Sequence, residues 1–103
     1  MILRIFRAQV YADKRQAFAS YLRDEGLPTT RAQPGLVDCW LGEPLSDEDN
    51  VYVFVSVWRD LGSLQAFRGS DLTDPGVLPS EVGVIKEARV EHFVIDDAVA
   101  GLR

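Results

Sequence analysis

The sequence of 103 residues contains a single cysteine, Cys39, and a single histidine, His92. One cysteine cannot form a disulfide within the chain, and one cysteine with one histidine cannot supply the ligands of a structural zinc site. We therefore expect no disulfide framework and no bound metal. The Cys39 thiol is expected to be buried and inert, because no residue near it in the sequence would clearly activate it.

Positive charge is also scarce. The chain has 11 Lys and Arg residues against 16 Asp and Glu residues, which gives a formal net charge of −5 at pH 7. Proteins that bind nucleic acid or an anionic membrane surface usually carry a basic patch. We therefore expect neither nucleic acid nor a membrane as a partner.

Long apolar runs are missing as well. No stretch approaches the roughly 18 to 20 consecutive apolar residues that a membrane-spanning helix needs. The first residues already include Arg4 and Arg7, which interrupt the apolar run that a signal peptide requires. The sequence therefore predicts a soluble, cytoplasmic protein.

No internal repeat, low-complexity tract or linker interrupts the chain. Its length fits one domain, for which the usual size is roughly 100 to 200 residues. We predict a single domain over residues 1–103, with a folded core over 2–96 and a C-terminal tail over 97–103.

Four segments have the composition of β-strands. Residues 2–11 and 51–58 are rich in β-branched and aromatic side chains and contain no Gly or Pro. A second strand is predicted over 36–43, after the Pro34-Gly35 turn, and a fourth over 87–95. Residues 44–50 form an acidic loop whose charge is explained by solvent exposure rather than by metal binding.

The first helical segment begins at Asp13, a residue suited to the N-cap position. Apolar residues then recur at spacings of three and four. Because Pro28 follows two residues after Gly26, the helix is expected to end by Gly26. Residues 27–35 are then predicted to be a connection.

The second helical segment is expected to be capped by Asp60 and to end at Gly69. Its apolar face carries Leu61, Leu64 and Phe67. A short helical turn is predicted around residues 80–84. The resulting order is β-α-β-β-α-β, which is typical of an α+β, ferredoxin-like fold with a four-stranded antiparallel sheet and both helices on one face.

Two of the strands are apolar on both faces. In residues 51–58 the valines alternate with Tyr52, Phe54 and Trp58. Two helices cover only one face of the sheet. Leaving the other face exposed to water would lose roughly 1.5 to 3 kcal/mol of hydrophobic stabilisation for each large side chain. We therefore predict a homodimer in which two copies pack sheet against sheet.

The motifs then point to a family. The Pro34-Gly35-Leu36 turn, the segment Val57-Trp58-Arg59-Asp60 and the helix from Ser63 to Ser70 resemble the antibiotic biosynthesis monooxygenase domains of the dimeric α/β-barrel superfamily. The resemblance covers residues 2–96. It implies a barrel formed by two sheets and a pocket between the sheet and the helices of each protomer. Members include cofactor-independent oxygenases of polycyclic phenols and anthrones, quinol oxygenases, haem-degrading oxygenases and proteins without an assigned substrate.

The haem-degrading branch of this superfamily has a pattern that can be compared residue by residue. It uses an Asn in the first strand, a Trp late in the second helix and a His shortly afterwards. Here the corresponding positions are Arg7, Phe67 and Val77. Because all three differ and His92 lies far along the chain, we expect no haem and no other cofactor.

The cofactor-independent oxygenases need a base, a donor to an oxyanion and aromatic walls. His92 is the candidate general base if it faces the helices, since its ordinary pKa lies near neutrality. A histidine hydrogen-bonded at the sheet edge or at the dimer interface is the alternative. Arg7 is the candidate partner of a substrate anion, and an internal salt bridge to Asp38 or Glu91 is its alternative.

Five aromatic residues are candidates for binding an aromatic substrate. All five have core or interface packing as the alternative role, and Tyr21 alone carries a hydroxyl that could orient a substrate. The five are Tyr21, Trp40, Phe54, Trp58 and Phe67.

The expected function is a small monooxygenase-like enzyme, without metal or flavin, that acts on a phenolic, quinol or polycyclic aromatic substrate. The first alternative is a non-catalytic, ligand-binding or stress-associated dimer with the same pocket. A lactone isomerase of the same superfamily is a further alternative.

Overall fold

Four antiparallel strands form one sheet in the computed structural model, which describes residues 1–46, 49–77 and 81–96. The strand order across the sheet is β2-β3-β1-β4. The predicted α+β, ferredoxin-like fold is confirmed, and the strand bounds differ from the predicted ones by two residues or fewer. The strands are β1 (Ile2–Val10), β2 (Leu36–Gly42), β3 (Val51–Trp58) and β4 (Ile85–Val94).

The early start of β4 has a cause in the sheet register. The pairing of β1 with β4 shifts between Gln9 and Val10, so that Val10 lies opposite Ile85. The irregularity lets β4 begin two residues before the predicted position 87. It also buries the Ile85 side chain in the core.

The first helical segment continues beyond its predicted end. It consists of a 3₁₀ turn (Ala12–Lys14), α1 (Arg15–Tyr21), a π-helical turn (Leu22–Gly26) and α2 (Leu27–Arg31).

The prediction that this segment ends by Gly26 is wrong, because Gly26 keeps helical dihedral angles, with φ of −61° and ψ of −52°. Pro28 lies in the first turn of α2, directly after the wide π-helical turn. The regular hydrogen bonding is already altered there, so the missing N–H of proline is tolerated. Residues 27–31 are therefore helical rather than part of the connection.

The prediction that Asp13 is the N-cap is also wrong. Tyr11 takes that position with extended dihedral angles and without a side-chain cap. Asp13 lies inside the 3₁₀ turn. In this turn the Lys14 amide donates a hydrogen bond to the Tyr11 carbonyl.

The second predicted helix forms, but Leu61 of its predicted apolar face is 47% exposed, whereas Leu64 is fully buried. This helix is α3 (Leu61–Arg68), and the Asp60 carboxylate accepts a hydrogen bond of 2.7 Å from the Ser63 amide. Hydrogen bonds from the backbone and the side chain of Ser63 lower the pKa of Asp60 below its ordinary value. The helix ends at Gly69, which has a φ of 92° that favours glycine.

Both helical segments lie on one face of the sheet. Along β1, the buried side chains Arg4, Ala8 and Val10 face the helices, and the odd-numbered residues face the other way. We call the face that no described helix covers the open face. It carries Leu3, Ile5, Arg7, Trp40, Val53, Val55, Arg89, Glu91 and Phe93.

The hydrophobic core lies between the sheet and α1. Phe18 and Leu22 pack there against Ala8, Val10 and Tyr52, and the Phe18 and Tyr52 rings meet edge to face with centroids 5.4 Å apart. This core does not fill the space between the sheet and the helices near the start of β1 and the end of β3. A cavity lies there.

Some predictions fall outside the described residues. These are positions 47 and 48 of the acidic loop, residues 78–80 and the tail over 97–103. Residues 81–84 form the rest of the predicted turn, with a hydrogen bond of 2.9 Å from the Val84 amide to the Glu81 carbonyl. None of the helices in the described ranges is long and apolar enough to cross a membrane.

Candidate functional site

A cavity of about 330 Å³ opens between the sheet, the π-helical turn with α2, and α3 with the loop after it. This volume is at the lower end of the range for small-molecule sites, roughly 300 to 1,000 Å³. Five of the residues that line it are aromatic. The aromatic residues are Phe6, Tyr21, Phe54, Trp58 and Phe67.

Trp58 lines the cavity and is fully buried. Its indole Nε1 donates a hydrogen bond of 2.9 Å to the Ser56 hydroxyl, two residues earlier on the same face of β3. The ring stacks on Phe67 of α3, with centroids 5.5 Å apart and an interplanar angle of 28°. Trp58 is thus held rigidly by both the strand and the helix.

Arg4 is the most buried cationic residue of the cavity wall, with 5% of its surface exposed. Its place on β1 puts it opposite Ser56 of β3 and His92 of β4. The Nη1 atom of Arg4 lies 3.0 Å from Nε2 of His92. Because a guanidinium only donates, Nε2 must accept, and a neutral His92 then carries its proton on Nδ1.

The charges of these two residues follow from their surroundings. Burial lowers the pKa of His92 below its ordinary value of 6.5, and the Arg4 charge lowers it further. Burial and, next, the charge of Arg68 lower the pKa of Arg4 to about 10. At neutral pH, Arg4 is therefore charged and His92 is neutral.

A second arginine, Arg68, lies at the end of α3 and lines the same cavity. Its Nη2 donates to the Pro75 carbonyl at 3.1 Å, and Nη2 of Arg4 approaches the same oxygen at 3.5 Å. The turn around Pro75 is fixed by Gly76, which has a φ of 76° and an amide that donates to the Asp74 carboxylate at 2.9 Å. The two guanidinium groups therefore converge on one carbonyl oxygen.

Neither arginine is paired with a carboxylate among the described residues. The ion pairs found between described side chains are Arg23 with Glu43 and Arg89 with Glu87. The Nε atom of Arg68 is buried without a hydrogen-bond partner. A buried cation without a counter-ion is costly unless a ligand supplies the missing charge, so this arrangement is typical of a site for an anion.

Tyr21 contributes a hydroxyl to the rim of the cavity. Burial raises the pKa of this phenol, and the carboxylates of Glu81 and Glu25 raise it further, against the opposing effect of Arg68. Tyr21 is therefore protonated at neutral pH, and it can donate a hydrogen bond to a ligand.

The structure brings four of the sequence-predicted aromatic residues together, since Tyr21, Phe54, Trp58 and Phe67 all line the cavity. His92 lies on the helix-facing side of β4, directly opposite Arg4 in the strand register. Its Nε2 lone pair is directed at Arg4, so it is not available to a substrate while that hydrogen bond lasts.

Arg7 and Trp40 lie elsewhere. Both are on the open face of the sheet, where Trp40 is 46% exposed. Arg7 lies between Val53 and Arg89 in the register and forms no ion pair with a described acid, including Asp38 and Glu91. The odd position of Arg7 on β1 points its side chain away from the cavity, and the even position of Arg4 points inward.

Arg4 and Arg68 are the residues that the sequence analysis missed. A signal for Arg4 was present, because it shares the strand parity of Phe6, Ala8 and Val10, which the pattern places on one face. Arg68 had no comparable signal. Its role depends on the turn around Pro75, seven residues later.

A haem does not fit the residues present. Position 67 is a Phe stacked on Trp58, and position 77 is an exposed Val. The only histidine, His92, directs its Nε2 at Arg4 instead of at an open coordination position. No group of three or more His, Cys, Asp or Glu residues that could hold a metal occurs within the described ranges.

The profile of the family described as antibiotic biosynthesis monooxygenase matches residues 1–74. Comparison with functionally curated proteins gave no match.

Several solved structures share the fold. A candidate antibiotic biosynthesis monooxygenase from Deinococcus radiodurans superposes with a TM-score of 0.76 at 15% identity, covering 94% of each chain. Rv0793 from Mycobacterium tuberculosis gives a TM-score of 0.72 at 22% identity, covering 93% of this chain and 95% of its own. PA3566 from Pseudomonas aeruginosa gives 0.72 at 14% identity, covering 92% and 93%. At such identities these similarities show the fold alone.

Proposed function

Because this chain belongs to the antibiotic biosynthesis monooxygenase family, we propose that it is a cofactor-independent monooxygenase that acts on a phenolic, quinol or polycyclic aromatic substrate. For a phenol, the reaction consumes one O₂ and yields a quinone and water. One oxygen atom becomes bonded to a ring carbon. The other leaves as water with the phenolic hydrogen and the displaced ring hydrogen.

One observation carries the proposal: a buried guanidinium without a carboxylate partner, Arg4, projects into an aromatic-walled cavity. Aromatic walls suit a flat ring, and the cation suits the oxyanion of that ring. O₂ reacts directly only with an electron-rich partner, so a phenolate is the reactive form. A cation next to the phenolic oxygen lowers the substrate's pKa and stabilises that form.

The other polar residues have roles in this scheme. Tyr21, which stays protonated, donates a hydrogen bond to the substrate. Glu25 lines the same cavity and supplies a carboxylate to which the phenolic proton can pass, directly or through water. His92 accepts from Arg4 and therefore acts as a positioning residue rather than as the base.

A non-catalytic, ligand-binding protein is the second candidate. It is favoured by the same Arg4–His92 hydrogen bond, because the only histidine then has no free lone pair for proton transfer. Oxygen uptake separates the two functions.

The experiment measures oxygen uptake by electrode on a panel of hydroquinones, naphthols and anthrones, with ¹⁸O₂ used to follow the label. We expect uptake that incorporates one labelled atom per product molecule. Arg4→Gln should lower kcat/KM by about 100-fold, as for the loss of an oxyanion donor. Arg59→Gln is the matched control, because Arg59 is exposed and does not line the cavity.

Two results would contradict monooxygenation. Binding of panel compounds without oxygen uptake would support the ligand-binding protein. Conversion of a lactone without oxygen consumption would support the isomerase alternative.

We also propose that two copies pair through their open faces. Support comes from the apolar residues left on that face, among which Trp40 is 46% and Phe93 47% exposed. A single cysteine, buried and with its thiol pKa raised by burial, suits the reducing cytoplasm that we propose as its location.

A further inference from the structure

We infer that the aromatic ligand of the cavity carries a carboxylate beside its phenolic hydroxyl, and that Arg4 and Arg68 hold these two groups together. The inference rests on the proposed function in taking the same cavity as the ligand site. It restricts the substrate class to hydroxy-substituted aromatic acids.

Two positively charged side chains meet at one point of the cavity wall. Arg4 and Arg68 both line the cavity, and neither is paired with a described carboxylate. They converge on the same carbonyl oxygen of Pro75, at 3.5 and 3.1 Å. A carbonyl carries no net charge, so two positive charges are left close together. Neither arginine forms an ion pair with the Glu25 and Glu81 carboxylates that line the same cavity, and a single phenolate would pair with only one of the two guanidinium groups.

The hydrogen-bond donors of the two arginines also suit a carboxylate. Each guanidinium presents N–H donors in a planar fork that matches the two oxygens of a carboxylate. Arg4 is held in place by His92 at 3.0 Å, and the buried Nε of Arg68 has no partner. A group with adjacent oxygen acceptors can use donors from both side chains at once, whereas a lone hydroxyl cannot.

With a hydroxy acid bound, one arginine serves binding and the other serves the reaction. A carboxylate neutralises one arginine in the bound substrate and anchors the ring between Phe54, Trp58 and Phe67. The second arginine then remains to stabilise the negative charge that develops when the phenolic proton leaves. An interaction that strengthens only in this step lowers the barrier, whereas the anchoring contact contributes to binding.

The test compares three probes that differ in charge alone or in the acid group alone: 1-hydroxy-2-naphthoate, its neutral amide 1-hydroxy-2-naphthamide, and 1-naphthol. Affinities are measured by calorimetry on the full chain at low salt and neutral pH. Quenching of Trp58 fluorescence locates the ligand, because in Trp40→Phe the chain has Trp58 as its only tryptophan.

We expect the carboxylate to bind at least about tenfold more tightly than the amide or the naphthol, and to quench Trp58. Arg4→Gln and Arg68→Gln should each remove most of this preference, and Arg4→Lys should restore part of it. Arg59→Gln is the control and should retain it. If circular dichroism shows that Arg4→Gln does not fold, Arg68→Gln still tests the inference. Arg68 is less buried than Arg4, so its replacement should disturb folding less.

Equal affinity for the three probes, a preference unchanged in Arg68→Gln, or no binding of any probe would overturn the inference. The proposed function is judged separately by oxygen uptake. Uptake with 1-naphthol as efficient as with the hydroxy acid would support the monooxygenase and overturn the carboxylate requirement. Selective binding of the acid without uptake with any phenol would keep the anion site and reject the monooxygenase.

Discussion

Nη1 of Arg4 donates a hydrogen bond to Nε2 of His92 at 3.0 Å, across the strand pair β1 and β4. The contact joins the only histidine to the most buried arginine of the cavity. It makes His92 a neutral acceptor and directs the guanidinium of Arg4 into the aromatic-walled space. Protonation of His92 at Nε2 would therefore remove the acceptor of this hydrogen bond.

This pair predicts a pH dependence of stability. Burial and the Arg4 charge lower the pKa of His92 in the folded protein below the 6.5 of an unperturbed histidine. Between the folded and the unfolded pKa, the unfolded chain binds more protons, so the free energy of unfolding falls as the pH falls below about 6.5. Once the pH is below the folded pKa, this contribution no longer changes.

Urea unfolding between pH 8 and 5 checks this expectation. His92→Gln is the matched variant, because its amide oxygen can still accept from Arg4 but does not titrate. The wild type should lose stability more steeply than His92→Gln on acidification through pH 6.5. Parallel curves for the two proteins would show that His92 does not contribute.

Removal of the acceptor itself gives a second prediction. In His92→Leu, Arg4 loses a hydrogen-bond partner in a buried position, and the free energy of unfolding should fall by about 1 to 3 kcal/mol. Binding of 1-hydroxy-2-naphthoate should weaken as well, because the guanidinium is no longer fixed. His92→Gln should recover most of both losses. If His92→Leu binds as tightly as the wild type, the positioning role is wrong.

Much of the fold could be predicted because its signals are local. The alternation of valines with large side chains predicts β3 over 51–58, and the strand spans Val51–Trp58. Asp60 and Gly69 delimit α3 as capping residues do. The end of the first helix could not be predicted from Gly26 and Pro28, because the π-helical turn removes the usual penalty of proline.

The candidate site could be predicted only in part, for a related reason. Its aromatic walls follow from helix and strand periodicity, which is why Phe54, Trp58 and Phe67 were identifiable. The convergence of Arg4 and Arg68 depends on where the loop after α3 places the Pro75 carbonyl. No local pattern encodes that contact between positions 71 residues apart.

A third prediction concerns the turn that precedes β2. Gly35 has a φ of 83°, and a side chain there would overlap Ser63 of α3. Gly35→Ala should therefore lower the free energy of unfolding by about 1 to 3 kcal/mol. In Gly62→Ala the new methyl group would lie 3.6 Å from the nearest neighbouring atom, a carboxylate oxygen of Asp60.

Gly62→Ala is the control, because Gly62 lies within α3, where alanine is a better helix former than glycine. Its free energy of unfolding should stay the same or rise by up to about 1 kcal/mol. Both variants are compared by urea unfolding. Equal stabilities of Gly35→Ala and Gly62→Ala would refute the close packing of the turn on α3.

The open face supplies the last prediction. Trp40 lies opposite Val55 there and is 46% exposed. If two copies pair through this face, Trp40→Glu places a charge in an apolar interface and should yield monomers at micromolar concentration. Analytical ultracentrifugation should show the wild type as a dimer.

Leu45→Glu is the control, since Leu45 is fully exposed in the loop after β2 and its variant should remain dimeric. A wild type that sediments as a monomer, or a Trp40→Glu variant that stays dimeric, would mean that the open face is not where two copies meet.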